Sequence, residues 1–326
     1  SYKAGRAGFT VNGGTFENFD PRNNPPEGTG TSFVAEGVGI NKDENGNFTA
    51  KSGMAAQIVD ADGNSVAAYA TLAEAIAAAN AGETVKLLAD VTADVVIDKN
   101  ITLDLGGKTL TNTGAGKATI SVTGGTVTVK NGTVIGGTSY YNIEVTKGSN
   151  ANLTLEDVTA TAGNIGSSMI DNWGTMTIKS GTYTGGLNVV KSEEGSTLTI
   201  NGGKFELNYA VSNSYTGVIL SAGTTTISGG EFIQNATTPR WGYPQVVLAQ
   251  QVDGYISKIE ITGGTFTNKK SGSNIFHGDG KATSDNFEVS GGTFNKSVSE
   301  SYCAEGFIPT KNADGTYGVK EGMYVA

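Results

Sequence analysis

The chain has 326 residues, of which 48 are glycine and only one each is cysteine and histidine, so an internal disulfide and the usual zinc sites are excluded. Acidic residues outnumber lysine and arginine by 31 to 22, and the net charge of −9 argues against nucleic acid or an anionic membrane as a partner. No stretch approaches 18 consecutive apolar residues, which predicts no membrane insertion, and a Ser-His-Asp triad could form only through His277.

Residues 1–55 contain phrases that recur at the other end of the chain. Gly13-Gly-Thr-Phe16 and Ala35-Glu-Gly37 return in the same order as Gly291-Gly-Thr-Phe294 and Ala304-Glu-Gly306. In both copies a lysine, a glycine turn and an aromatic-x-x-Lys phrase follow. We therefore predict that residues 1–55 are the terminal coil and cap of a preceding β-helix, and that the rest of the chain builds a second one.

The next part of the sequence predicts a hairpin and the one convincing helix. Residues 58–66 place an Asp-Ala-Asp-Gly turn between two short apolar runs, as in a β-hairpin. Thr71 and Glu74 then form a capping box, and the apolar stripe behind them ends near Gly82. We predict a helical cap over residues 69–82, because the first edge of a β-helix must be covered to avoid recruiting another strand.

A phrase then repeats about every 26 residues. Each copy has an alternating Thr/Ile/Val strand, a pair of small residues and often an aromatic, as in Leu198-Thr-Ile-Asn-Gly-Gly-Lys-Phe205. The first small residue serves as a marker and recurs in steps of 22 to 34 residues at Gly106, Asn131, Asp157, Ser180, Gly202, Gly229, Gly263 and Gly291. Strands this short bury a face only by stacking, so the spacing predicts an all-β solenoid of about eight coils over residues 84–297.

The repeat also predicts how its side chains are arranged. Alternation places Leu198, Ile200 and Ile227 on one side of their strands, with threonine or charged residues on the other. The marker residue should adopt a positive φ, which glycine adopts most easily and asparagine and aspartate also tolerate. We expect the aromatic that follows the turn to stack on its counterpart one coil away. Residues 298–326 then close the domain, which spans 56–326, with a hairpin cap.

These Gly-Gly-x-Phe turns, together with the segment from Tyr69 to Asp90, resemble the right-handed parallel β-helix of the pectin-lyase-like superfamily, particularly the repeat domains of bacterial extracellular and surface proteins. The resemblance covers about three quarters of the chain. It implies a right-handed parallel β-helix located outside the cell, on a bacterial surface or a phage particle. Polysaccharide lyases and hydrolases share this fold, but the Asp-rich cluster, paired-Asp phrase and Gly-His-Gly phrase of those enzymes are missing from the sequence.

Binding candidates come from aromatic residues in loops. The longest step between markers carries a Pro-Arg-Trp-Gly-Tyr-Pro loop that could stack on a sugar or peptide, or fold back onto its own coil. The candidates are Arg240, Trp241 and Tyr243 in this loop, with Tyr140, Tyr141 and Trp173 as secondary ones. Glu260 and Glu288 share a position in their copies and are interpreted as an outward charge ladder rather than a catalytic pair. No catalytic residue, metal ligand or cofactor is predicted.

The sequence therefore favours a non-catalytic extracellular module with a structural or adhesive role. Its predicted partners are further copies, associated head to tail through the terminal caps, or a glycan or host-surface ligand. The alternative is a carbohydrate-binding or carbohydrate-cleaving β-helix, such as a tailspike-like protein or a polysaccharide lyase or hydrolase.

Overall fold

The structure is a computed structural model that describes residues 8–28, 31–164, 166–209, 216–236, 244–255 and 257–322. These residues form a parallel β-solenoid of about seven turns, close to the eight coils expected. A small antiparallel sheet precedes the solenoid, and the α-helix of the described part lies at the solenoid's N-terminal end. The all-β solenoid prediction is confirmed.

The first elements in chain order are the small sheet, a hairpin and the helix. They are β1 (Gly14–Phe16), β2 (Val38–Lys42), β3 (Phe48–Ser52), β4 (Ala56–Val59), β5 (Ser65–Tyr69) and α1 (Leu72–Ala78). Strand β3 pairs antiparallel with both β1 and β2, and β4 pairs antiparallel with β5. Short 3-10 helices in the described part lie at Pro25–Glu27, Ser284–Asn286 and Glu300–Tyr302.

The strands of the solenoid follow, and the last two form the C-terminal hairpin. They are β6 (Thr84–Leu87), β7 (Val91–Thr92), β8 (Val95–Ile97), β9 (Thr102–Asp104), β10 (Thr109–Thr111), β11 (Ile120–Val122), β12 (Thr126–Ile135), β13 (Ile143–Val145), β14 (Asn152–Thr161), β15 (Ile170–Asn172), β16 (Thr175–Ile178), β17 (Gly181–Thr184), β18 (Val190–Ser192), β19 (Thr197–Ile200), β20 (Lys204–Leu207), β21 (Gly217–Ser221), β22 (Thr224–Ile227), β23 (Glu231–Gln234), β24 (Gln245–Gln251), β25 (Lys258–Ile261), β26 (Thr265–Asn268), β27 (Phe276–Gly280), β28 (Phe287–Val289), β29 (Thr293–Phe294), β30 (Phe307–Lys311) and β31 (Tyr317–Glu321).

Parallel stacking of these strands gives the solenoid three faces. The first face stacks β6, β9, β12, β14, β16, β19, β22, β25 and β28. The second face stacks β7, β10, β12, β14, β17, β20, β23, β26 and β29. The third face stacks β8, β11, β13, β15, β18, β21, β24 and β27. The long strands β12 and β14 run through both of the first two faces.

The corner between the first and second faces explains the paired small residues. A Cβ on Gly263 would lie 2.2 Å from the carbonyl oxygen of Ser228 in the preceding coil, whereas Gly264 adopts a φ of 100°. Two earlier coils turn the corner with one left-handed residue, Asn131 at 58° or Asp157 at 52°. The expected positive φ at the marker is thus correct for Asn131 and Asp157 and wrong for Gly263, whose role is close approach of backbones.

The core is a continuous column between the three faces. Leu198, Ile200 and Ile227 are fully buried, as the alternation predicts. The aromatic residues after the corner stack from coil to coil, with successive ring centroids 5.0, 4.9, 4.8 and 5.2 Å apart along Tyr183, Phe205, Phe232, Phe266 and Phe294. These spacings follow the ~4.8 Å separation of neighbouring strands, so the parallel pairing of the strands determines the spacing of the aromatic rings. The predicted aromatic stacking is confirmed.

The N-terminal end of the solenoid is closed by a hairpin as well as a helix. Strand β4 pairs antiparallel with β6 and so covers the edge of the first face. The Thr71–Glu74 capping box is present, but the helix ends at Ala78 rather than near Gly82. It ends early because Ala79 is extended and the next residues form a turn, in which the Glu83 amide donates to the Asn80 carbonyl.

The C-terminal end has the predicted hairpin, β30–β31, and the sheet before the solenoid repeats its pairing. In both places a parallel bridge, an antiparallel contact with the last coil strand and a two-stranded hairpin occur in the same register. The matched pairs are Val11–Val34 with Val289–Cys303, Phe16–Phe48 with Phe294–Tyr317, and Val38–Ser52 with Phe307–Glu321. We call residues 8–52 the N-terminal module and residues 287–321 the C-terminal cap.

Candidate functional site

The third face gathers the candidate residues that the structure describes. Tyr140 and Tyr141 precede β13, and Trp173 follows β15, the next strand on this face. The remaining candidates, Arg240, Trp241 and Tyr243, lie outside the described residues.

A buried acidic pair lies beside these aromatics, and no motif in the sequence indicates it. Asp171 is the central outward residue of β15 and is only 1% exposed, and Glu193, just after β18, is 5% exposed. The Trp173 indole N–H donates to Asp171 Oδ2 at 2.8 Å. Asp171 Oδ1 has no hydrogen-bond donor, and the Glu193 carboxyl group beside Asp171 pairs with Lys191.

The pKa of Asp171 lies well above its ordinary value. Burial, followed by the negative charge and hydrogen bond of Glu193, raises its pKa to about 8, against the lowering effects of Lys191 and Trp173. The charged form of Asp171 is disfavoured because it would place a buried carboxylate beside the carboxyl group of Glu193. The same surroundings affect Tyr141, whose pKa is raised to about 12 by burial and then by the charge of Asp171.

This pair predicts a pH-dependent stability. Because the folded-state pKa of Asp171, about 8, lies above its ordinary value of 3.8, its stabilising contribution is complete below about pH 4 and is lost as pH rises through 8. An asparagine resembles the protonated acid and does not titrate. The melting temperature of Asp171→Asn should therefore fall less than that of the wild type between about pH 5 and about pH 9. Asp98→Asn, an exposed carboxylate beside the same face, is the control. Parallel pH profiles for wild type and Asp171→Asn would contradict the raised pKa of Asp171.

The aromatic side chains of this site are engaged in contacts within the chain. The Tyr140 and Tyr141 ring centroids lie 4.7 Å apart. Lys147 Nζ lies 3.9 Å from the centroid of the Trp173 ring and forms an ion pair with Glu194 at 3.3 Å. Trp173 therefore holds Asp171 and Lys147 in place, and Tyr140, at 38% exposure, is the most accessible of the three aromatics.

The site also has a polar surface that is open to solvent. A shallow cleft of about 300 Å³ opens beside Tyr141 and is lined by Ser168, Asn188, Lys191 and Gln250, among others. The arrangement can present hydroxyl, amide and ammonium groups beside tyrosine rings.

Three other residues considered from sequence lie on the faces of the solenoid. His277 is in strand β27, level with Leu248 of the preceding coil. Glu260 and Glu288 are direct neighbours on the first face, and Glu288 is paired with Lys258 at 3.0 Å. The outward charge ladder predicted for these two glutamates is therefore present.

A second site is the contact between the N-terminal module and the solenoid, which we call the joint. The Ser65 hydroxyl in β5 donates to the Ile40 carbonyl at 2.7 Å, and the Ala68 amide donates to Asn41 Oδ1 at 2.5 Å. Gly39 directly precedes these two acceptor residues, and a Cβ placed on it would be 2.2 Å from the Ala68 Cβ. The backbone of β2 therefore lies directly on the β4–β5 hairpin, and only glycine fits at this point.

The joint also carries an ion pair at its edge and an apolar centre. Glu36 of the module pairs with Lys108 of the solenoid. The apolar centre of the joint is at Gly39, where an added Cβ would also lie 3.1 Å from Met54 Cγ and 3.2 Å from Leu88 Cδ1. Packing of this kind fixes one body against the other because it combines apolar burial with hydrogen bonds whose partners are single atoms.

Comparison with known proteins adds no family. No protein-family model matches the chain, and neither curated proteins nor solved structures give a match. The solenoid fold thus rests on the structure, and the likeness to pectin-lyase-like proteins stays a prediction. In the described part of the chain, no helix has the length and apolar character needed to cross a membrane.

Proposed function

We propose that this chain is a non-catalytic structural unit of an extracellular or cell-surface protein, in which β-helices of the pectin-lyase-like, right-handed type are stacked end to end. The observation that carries the proposal is the N-terminal module, which has the pairing register of the C-terminal cap. A cap followed directly by the hairpin and helix of another solenoid is the arrangement expected at each junction of such a stack. The role of each unit is to add rigid length.

The surface of the N-terminal module supports this interpretation. Phe9 is 57% exposed, whereas Phe287, its counterpart in the C-terminal cap, is 3% exposed beneath its own coil. Gly13 and Gly14 have no neighbouring coil beside them, whereas a Cβ on Gly291 would lie 2.0 Å from the Thr262 carbonyl oxygen. The module thus presents the strand edge on which the last coil of a preceding β-helix would fit. Head-to-tail association through terminal caps would use the same kind of surface.

A second candidate function is glycan binding on the third face. It is favoured by the exposed Tyr140 and the cleft beside Tyr141, next to polar side chains. Tyrosine rings with neighbouring amides and hydroxyls are suited to the apolar faces and hydroxyl groups of sugars. In this case the stack would also display a ligand site on its side, as adhesins do.

One set of measurements on the full chain separates these functions. For the structural role we expect hydrogen exchange of the β2 and β3 amides to be as slow as in the solenoid, and a panel of polysaccharides to yield no cleavage products. For glycan binding we expect retention on a glycan array that the double variant Tyr140→Ala/Tyr141→Ala loses and Tyr209→Ala, an exposed tyrosine elsewhere, keeps. Fast exchange throughout the module would contradict the structural role, and absence of any array signal would contradict glycan binding.

A further inference from the structure

The outer side of the C-terminal cap exposes the apolar residue Ile308. The equivalent position in the N-terminal module, Gly39, is covered by the β4–β5 hairpin. Phe307, Ile308 and Pro309 of β30 correspond in register to Val38, Gly39 and Ile40 of β2. Gly39 and Asn41 face the β4–β5 hairpin, and Val38 and Ile40 point into the module's own apolar cluster. Ile308, the counterpart of Gly39, is 36% exposed, and Phe307 and Pro309 are partly exposed. We call residues 304–309 with Gly322 the cap face.

We propose that the cap face is the docking site for the N-terminal β-hairpin of a following β-helix unit, which packs on β30 as the β4–β5 hairpin packs on β2. This inference rests on the proposed stacking function and adds the surface that each unit offers to the next. The occupant is thus an antiparallel β-hairpin like β4–β5, attached to a parallel β-solenoid.

The two clefts at these places are built from corresponding residues. Beside the joint, Glu36, Gly37 and Gly53 line one wall of a cleft, and Met54 and Asp90 of the solenoid side line the other. At the cap face, the counterparts of the first wall, Glu305, Gly306 and Gly322, line a cleft of about 330 Å³ together with residues of the cap alone. The second wall is the part that a following unit would supply.

The chain path and the edge charge also correspond. Gly53-Met54 leads from β3 into the β4–β5 hairpin, and the sequence after β31 is Gly322-Met323. Glu36 pairs with Lys108 across the joint. Its counterpart Glu305 is exposed, so we expect it to form an ion pair with a lysine of the following unit. Both observations place the following hairpin on the same side of the cap as in the joint.

The residue that replaces Gly39 restricts which unit can follow. A Cβ at Gly39 would be 2.2 Å from the Ala68 Cβ, 3.1 Å from Met54 Cγ and 3.2 Å from Leu88 Cδ1. The cap face has Ile308 at this point, so this chain's own hairpin cannot pack there as it packs on β2. The following unit must therefore have smaller side chains opposite Ile308, and a second identical copy is excluded from this geometry.

A tandem protein tests the proposal. It consists of the full chain to Met323 followed directly by residues 55–326 of a second copy, and it is made with Ile308 and with Ile308→Gly in the first copy. With Ile308→Gly the hairpin of the second copy should dock, slowing exchange of the β30 amides about tenfold or more and protecting the Gly322-Met323 linker from protease. With Ile308 retained, β30 should exchange as in the single chain. The single chain carrying Ile308→Gly controls for the effect of the substitution itself.

Each outcome has a defined meaning. Equal, fast exchange of β30 in both tandem proteins would overturn the docking site, and equal protection in both would overturn the selection by Ile308. The N-terminal module of the first copy is the internal reference for the proposed function. If its β2 amides are protected while β30 is not, only the docking inference fails; if neither is protected, the stacking function fails as well.

Discussion

Replacing Phe232 by alanine should lower the free energy of unfolding by about 3–5 kcal/mol, the range for a fully buried phenylalanine. Phe232 is 0% exposed and lies between Phe205 and Phe266, with ring centroids 4.9 and 4.8 Å away. The space left by the ring cannot close, because parallel strands on both sides hold the coils at a fixed separation of about 4.8 Å. The loss therefore includes the cavity as well as the transfer of the ring to water.

The effect is measured by denaturant unfolding followed by circular dichroism on the full chain, with midpoint and slope compared. Thr224→Ala, an exposed position on the neighbouring strand β22, is the control and should change the stability by less than about 0.5 kcal/mol. Phe232→Leu keeps most of the apolar volume and should lie between them. If Phe232→Ala lost no more than the control, the stacked rings would not be holding the coils together.

The first two faces could be predicted from the sequence because one corner repeats with them. The corner requires a small residue, and the close approach at Gly263 and the left-handed backbone at Gly264 each forbid a side chain. The aromatic two positions later, such as Phe266, then falls at the same level in each coil. A constraint that recurs at every coil leaves a repeated phrase, and the register of Phe232 and Phe266 follows from that phrase.

The acidic pair of the third face could not be predicted in the same way. Asp171 and Glu193 lie in a part of the coil separated from the corner by loops that differ in length from one coil to the next. Their contact depends on the pairing of Asp171 with Lys191, which no repeated phrase specifies. The raised pKa of Asp171 also needs burial, which no repeated phrase specifies. Trp173, whose indole N–H donates to Asp171, was visible in the sequence only as an aromatic near a loop.

Replacing Gly39 by isoleucine should release the N-terminal module from the solenoid without unfolding either. The Cβ alone would overlap Ala68, which belongs to the paired β4–β5 hairpin and cannot move aside without breaking the cover of β6. Overpacking at such a contact costs about 1–3 kcal/mol, which corresponds to exchange of the β2 amides about tenfold to hundredfold faster than in the wild type. Strand β2 itself should accept an isoleucine at this position, because Ile308 occupies the equivalent position of β30 in the same register.

Hydrogen exchange with mass spectrometry and small-angle scattering on the full chain measure the release. Thr15→Ile adds the same side chain to the module on β1, an exposed strand away from the joint, and should leave both measurements unchanged. If Gly39→Ile kept the module protected, the contact with Ala68 would not be what fixes it. If exchange rose throughout the solenoid as well, the joint would be part of the fold of the solenoid rather than a junction between two units. Faster exchange confined to β2, β3 and the Gly53-Met54 linker is the result expected of a stack, because each unit then folds by itself and the joint sets only how it lies on the next.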